Sequence, residues 1–166
     1  GFVPPYQTSL DLAATPSGHA WYGTSDADRF ILTSNGSDTL VVASTTGRPR
    51  FPVPQDRIDE LFKPDGFLAQ RCGPAMNRSD VPSQQPAWHR LHVDGRGNLW
   101  VRRPAEYGSS YDVYDPQGIW MGEVPSPFRR GENVYWHGDV ANSVEILEDG
   151  GYTWRRHGIS RLVPPN

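Results

Sequence analysis

The sequence has few of the residues that cross-link or anchor a small domain. It carries one cysteine, Cys72, which excludes an internal disulfide framework and a multi-cysteine zinc site. No apolar run is longer than Leu40-Val41-Val42-Ala43, far short of the ~20 residues of a membrane span. Charge is sparse: 21% of the 166 residues are charged and the net charge is −3, which argues against nucleic acid as a partner. Lysine is almost missing. All but one of the 16 basic residues are Arg, the exception being Lys63, and coding bias accounts for that skew. Chain breakers, in contrast, are plentiful: 17 Gly and 16 Pro disfavour a helical bundle or a coiled coil. The 36% apolar fraction supplies a core for one domain.

The periodicity is of the strand type. Leu10-Asp11-Leu12-Ala13-Ala14 leads through Thr15-Pro16-Ser17-Gly18 into His19-Ala20-Trp21-Tyr22-Gly23. His89-Arg90-Leu91-His92-Val93 leads through Asp94-Gly95-Arg96-Gly97 into Asn98-Leu99-Trp100-Val101-Arg102. At one constant offset Leu12 falls on Leu91, Ala14 on Val93, Gly18 on Gly97 and Trp21 on Trp100, which is an internal repeat. A second hairpin follows each. Arg29–Thr33 turns through Ser34–Asp38 into Thr39–Ala43, and Tyr111–Tyr114 turns through Asp115-Pro116-Gln117-Gly118 into Ile119–Val124. A looser third unit contains Asn133–Trp136, Ser143–Leu147, Tyr152–Trp154 and Ile159–Leu162, with Gly151 and Trp154 at the same Gly-x-x-Trp spacing.

The sequence therefore predicts one all-β domain of antiparallel, four-stranded blade-like units at about 8–45, 88–126 and 130–164. A long irregular insertion of about 47–87 separates the first two. Within it, Asp56–Phe62 fits a short helix with Asp56 as N-cap and Pro64 as its stop. Such an irregular run is often an interaction surface.

Val93-Asp94-Gly95-Arg96-Gly97-Asn98-Leu99-Trp100-Val101 resembles the inner hairpin of NHL-like and TolB-like six-bladed β-propellers, and Tyr111–Gly118 resembles their next hairpin. The polar stretch Ser83-Gln84-Gln85-Pro86-Ala87-Trp88 resembles one bacterial branch of that family. The resemblance is strongest over 88–126, extends to 8–45 and is weak after 130. It implies a partial propeller of about three blades, since a closed six-bladed ring takes roughly 240 residues. Family members include sensors, scaffolds, sugar or peptide binders, and a few hydrolases and lyases, so the likeness fixes architecture more than chemistry.

Chemistry-bearing residues are scattered. His89 and His92 fall on opposite faces of a strand and cannot share a metal there. His137 with Asp139, in a turn beside Trp136, is a candidate metal or acid–base pair. No Gly-x-Ser-x-Gly elbow, P-loop or dinucleotide fingerprint occurs. Asp94, Asp115 and Asp149 precede turns, where a short acceptor bonds the backbone. Trp21, Trp100 and Trp154 read as repeat positions that pack the core. Trp88, Trp120 and Trp136 are not repeat-equivalent and are open to contact roles.

The expected function is a non-catalytic binding or scaffold module, an accessory extrinsic subunit of a larger protein complex. Neither a cofactor nor a metal is expected. Phe67, Leu68, Trp88, Arg129, Arg130 and Trp136 are the expected partner contacts. The open sheet edges have three possible covers: further N-terminal blades of a longer chain, a second copy pairing through them, or other protein chains as partners. An extracytoplasmic location, docked on a membrane complex, follows from the resemblance and from a start at Gly1 without Met. Two alternatives stand: a hydrolase or lyase using His89, His92 or His137 at the propeller axis, and a carbohydrate binder using Trp120 and Trp136.

Overall fold

A computed structural model describes residues 6–45, 47–64, 77–105, 108–128, 133–147 and 150–158. The fold is all-β. Strands β1 (Leu10–Ala14), β2 (Ala20–Thr24), β3 (Arg29–Thr33) and β4 (Val41–Ser44) form one antiparallel sheet in chain order. Strands β5 (Arg90–Val93), β6 (Leu99–Ala105), β7 (Gly108–Tyr114) and β8 (Trp120–Pro125) form a second. Strands β9 (Asn133–His137), β10 (Val140–Ile146) and β11 (Tyr152–Gly158) form a third. The expected fourth strand, Ile159–Leu162, lies outside the described residues. No sheet closes on itself among them, so the architecture is a stack of blades, as in part of a propeller.

The repeat is structural as well as textual. In each of the first two units the leading turn closes with the same pair of backbone bonds: Thr15 with His19 and Gly18, and Asp94 with Asn98 and Gly97. Gly18 and Gly97 sit at φ 84° and 85°, a region that side chains with a Cβ enter only under strain. Asp94 acts as expected: its Oδ1 accepts the N–H groups of Arg96 and Asn98 at 3.0 and 2.9 Å. Asp115 does the same for Gln117 and Ile119, both at 2.9 Å. Asp149 lies outside the described residues.

Alternation along the strands decides which face goes where. The cross-strand row Ala13, Trp21, Leu32, Val41 faces the second sheet, together with Phe30 and Ala43. It meets Leu91, Leu99, Val101 and Tyr114 there. The opposite face of the second sheet presents Trp100, Tyr111 and Val113 to the third, where Val134, Trp136 and Ala141 receive them. The second sheet is thus buried on both faces, and this is why Leu99-Trp100-Val101 in β6 and Val113-Tyr114 in β7 are apolar at successive positions. Turn-to-turn contacts hold the layers in register: Gly95 approaches the Gly138 backbone, and Gly118 lies against Val41 and Ala43.

Gly118 combines φ 79° with a Cβ position only 2.8 Å from Val41 Cγ1. Gly18 has the same φ region but open space around it. Gly118→Ala is therefore expected to destabilise by more than Gly18→Ala, whose cost is backbone strain alone, about 1–2 kcal/mol. Urea denaturation of the two variants measures the difference.

Two expectations change. The helix α1 spans Gln55–Leu61 with Pro54 at the N-cap, so Asp56 lies in the first turn and makes no cap. Trp154 is not a packed repeat position. The turn beside Asp94–Gly97 is Gly138-Asp139, which precedes β10, whereas Trp154 is on β11, reached from the opposite end of the sheet. Its ring projects outward.

The insertion is zipped at its base. Pro52 bridges Gln84, Val53 N–H donates to Ser83 O, and Gln85 N–H donates to Phe51 O. One guanidinium grips both ends: Arg103 donates through Nε to Ala87 O, through Nη2 to Pro49 O and through Nη1 to Asp112 Oδ2, at 3.2, 3.0 and 3.1 Å. Arg48 forms a second ion pair with the same fully buried Asp112 and a third contact with Glu123. Trp120 donates to Asp112 Oδ1 at 3.1 Å while its ring lies under Arg48.

Candidate interaction surface

The expected contact residues separate into three groups. Phe67, Leu68, Arg129 and Arg130 lie outside the described residues, as does Cys72. Trp88 is a correction: it is fully buried, donating from Nε1 to Ala27 O at 3.1 Å and packing edge-on against Phe30. It fills the space between the insertion and the first sheet, where Gly23 makes room for it. Trp136 is half-buried, stacked on His92 at 5.0 Å and tilted against Trp100 at 5.3 Å, so most of its ring belongs to the core between the second and third sheets.

The same geometry separates the pair proposed for carbohydrate. Trp120 pairs across strands with Tyr114, on the side of the second sheet that faces the first. Trp136 lies on the other side. The two rings share no surface.

Among the described residues no histidine is paired with a carboxylate. His89 and His137 are exposed near strand ends, and His157 packs its ring against Phe128 at 4.9 Å. His92 is enclosed by Trp136 and Tyr111; burial, with the like charges of Arg90 and Arg102, pushes its imidazole down to about 3. It is a neutral ring at physiological pH. In the unfolded chain it titrates near 6.5, so between these values the unfolded state binds more protons. Its contribution is complete above pH 6.5 and is lost as pH falls toward 3, at up to ~1.4 kcal/mol per pH unit. The stability difference between pH 7 and pH 5 is expected to shrink in His92→Gln, read from urea midpoints at the two pH values.

Among the described residues no group of three or more His, Cys, Asp or Glu side chains is placed to hold a metal ion. An open cleft of about 330 Å³ lies between the turns of the first two units, lined by Thr15, His19, Trp21, Arg96 and Pro116 among others. It contains a histidine and a guanidinium but no carboxylate. Trp21 Nε1 is buried there without an acceptor, because Thr15 stands where Asp94 serves Trp100 in the second unit.

Among the described residues, two sheet faces are left without a packed neighbour, at the two ends of the stack. The outer face of the first sheet carries Leu10 and Leu12, 70% and 63% exposed, with Tyr22, Ile31 and Val42 across from Leu12 in one row. The outer face of the third carries Tyr152 and Trp154, 68% and 69% exposed, with Tyr135 two strands away. Scattered exposed apolar residues are ordinary, but contiguous sheets of them mark contact surfaces. Sequence reasoning missed both faces. The alternation Tyr152-Thr153-Trp154 signalled the second, but the repeat spacing assigned that tryptophan to the core.

No family model, curated protein or solved structure matches this chain. No helix among the described residues is long and apolar enough to cross a membrane.

Proposed function

We propose that the chain is a non-catalytic binding or scaffold module of the partial-propeller type, an accessory extrinsic subunit that docks other protein chains through its end sheets. The observation that carries this reading is the pair of apolar outer faces, mostly aliphatic around Tyr22 on the first sheet and aromatic on the third. Tyr and Trp are the residues that most often dominate protein contacts, because they bury large area at low entropic cost. The absence of any His-carboxylate convergence among the described residues leaves the hydrolase or lyase alternative without a feature in its favour. The likeness of residues 93–101 to NHL-like and TolB-like hairpins supports the architecture, and through it a place on the extracytoplasmic side of a membrane complex.

The test is the mass and composition of the native particle, purified gently from its source. An assembly larger than one chain is expected. A folded chain that always runs alone would overturn the reading.

A further inference from the structure

We propose that the cleft between the turns of the first two units binds a small carboxylate, whose oxygen completes a hydrogen bond that the second unit makes internally and the first cannot. The site is separate from the end faces and stands or falls independently of them.

The repeat defines what is missing. In the second unit Asp94 supplies two oxygens. Its Oδ1 accepts the backbone N–H groups of Arg96 and Asn98, and its Oδ2 accepts the Asn98 side-chain amide and Trp100 Nε1, the last two at 2.9 Å. At the same offset Thr15 stands for Asp94, His19 for Asn98 and Trp21 for Trp100. Thr15 Oγ1 accepts the His19 N–H at 3.1 Å, as Oδ1 does from Asn98. A hydroxyl has one oxygen, and nothing stands in the place of Oδ2. Trp21 is fully buried, and its Nε1 has no acceptor. A buried indole N–H usually finds a partner, because a bare one forfeits the bond it made to water.

The cleft supplies the rest of a carboxylate site. Its volume of about 330 Å³ is at the small end of ligand pockets. Thr15, His19 and Trp21 line it from the first unit and Arg96 from the second. Asp139 takes the Arg96 Nε at 3.2 Å and fixes the guanidinium, whose two terminal nitrogens have no partner among the described residues. Such a fork suits a carboxylate, and no carboxylate of the chain lines the cleft to compete for it. Pro16, Leu32 and Pro116 add apolar wall for a short aliphatic body.

The way in is movable. Trp21 Nε1 is closed off, so an entering oxygen has to displace a side chain. Thr15, Ser17 and His19 are bonded within their own turn: Thr15 Oγ1 to Ser17 Oγ at 2.9 Å, Ser17 Oγ to His19 Nδ1 at 3.4 Å, and Thr15 Oγ1 to His19 O at 3.2 Å. Rotation of one hydroxyl or of the imidazole breaks no bond to a neighbouring element.

The experiment is a proton–nitrogen NMR titration of the purified chain at constant ionic strength, read at the Trp21 indole N–H, which Trp21→Phe assigns. Sodium butyrate is the probe, butyramide its neutral control, and inorganic phosphate an anion of different shape. Butyrate is expected to move the Trp21 resonance downfield to saturation. Butyramide is expected to need at least about tenfold more, and Arg96→Gln to weaken butyrate at least about fivefold. Thr15→Asp supplies the missing oxygen from within. Its Trp21 resonance is expected to lie downfield without ligand, near that of Trp100, and to ignore butyrate. If Thr15→Asp does not fold, Arg96→Gln, a change at a half-exposed side chain, decides the case. A Trp21 resonance that butyrate leaves in place, that butyramide moves equally, or that responds equally in Arg96→Gln would overturn the proposal. One already downfield in buffer and unmoved by butyrate would mean that water fills the place of Oδ2, which also overturns it. Phosphate acting at lower concentration than butyrate would overturn the assignment to a carboxylate.

Discussion

Asp112→Asn is expected to cost about 3–5 kcal/mol of unfolding free energy, the cost of breaking a buried ion cluster from one side. Asp112 is fully buried and accepts from Arg103, Arg48 and Trp120. Arg103 is itself almost wholly enclosed, so removing the carboxylate charge leaves a cation that neither water nor another acid compensates. A domain of this size has roughly 5–15 kcal/mol in total, so the variant loses a large share of it. Because Arg103 also grips Pro49 and Ala87, the base of the insertion is expected to loosen with it. Urea denaturation gives the magnitude. Removing charge from both sides, as in Asp112→Leu with Arg103→Met, is expected to destabilise less than Asp112→Asn alone, since no unpaired ion remains. Equal or larger loss in the double variant would mean that the hydrogen bonds to Pro49 and Ala87 outweigh the ion pair.

Trp88→Ala is expected to have an effect of similar size, about 3–5 kcal/mol, by a different route. The indole is fully buried between the first sheet and the end of the insertion. Gly23 already gives up its side chain to admit the ring, whose Cζ2 would lie 3.3 Å from a Cβ there. Truncation opens a cavity that strands held by their own hydrogen bonds cannot collapse to fill. It also removes the donor to Ala27 O. Trp88→Phe keeps most of the volume and is expected to lose roughly half as much, the remainder reporting the lost hydrogen bond and the unfilled edge. Thermal melts of the two variants measure the ratio.

Much of the fold was legible in the sequence because its signals are local. The pairing Leu12 with Leu91 and Trp21 with Trp100 located two hairpins, and Asp94 and Asp115 announced their turns through chemistry confined to five residues. The third unit was misread for the opposite reason. Gly151-x-x-Trp154 copies the spacing of Gly97-x-x-Trp100, but the equivalent turn is Gly138-Asp139, two residues long and without tryptophan after it. Spacing alone cannot show which end of a sheet a turn occupies. Nor could sequence distinguish Trp88 in the core from Trp154 in solvent. Their burial depends on which sheet lies opposite, which is set by contacts dozens of residues away. The Arg103–Asp112–Arg48 cluster had no motif at all, since it is assembled from the insertion and two strands of the second sheet. The partial-propeller expectation also named open strand edges as the unpaired surface, whereas the most exposed apolar side chains, Ile119 in the β7–β8 turn apart, lie on the faces of the end sheets.

The central claim is that function resides on those two faces. Site-specific photo-cross-linking tests it most directly, with the probe placed at Leu12, at Trp154 and, as a control, at Ser37 in the exposed β3–β4 turn, each in the chain expressed in its source. Protein cross-links are predicted from Leu12 and Trp154 and not from Ser37, whether the captured chain is a second copy or another protein. Cross-linking from Ser37 alone, or from none of the three, would contradict the account and move the search for function to the insertion.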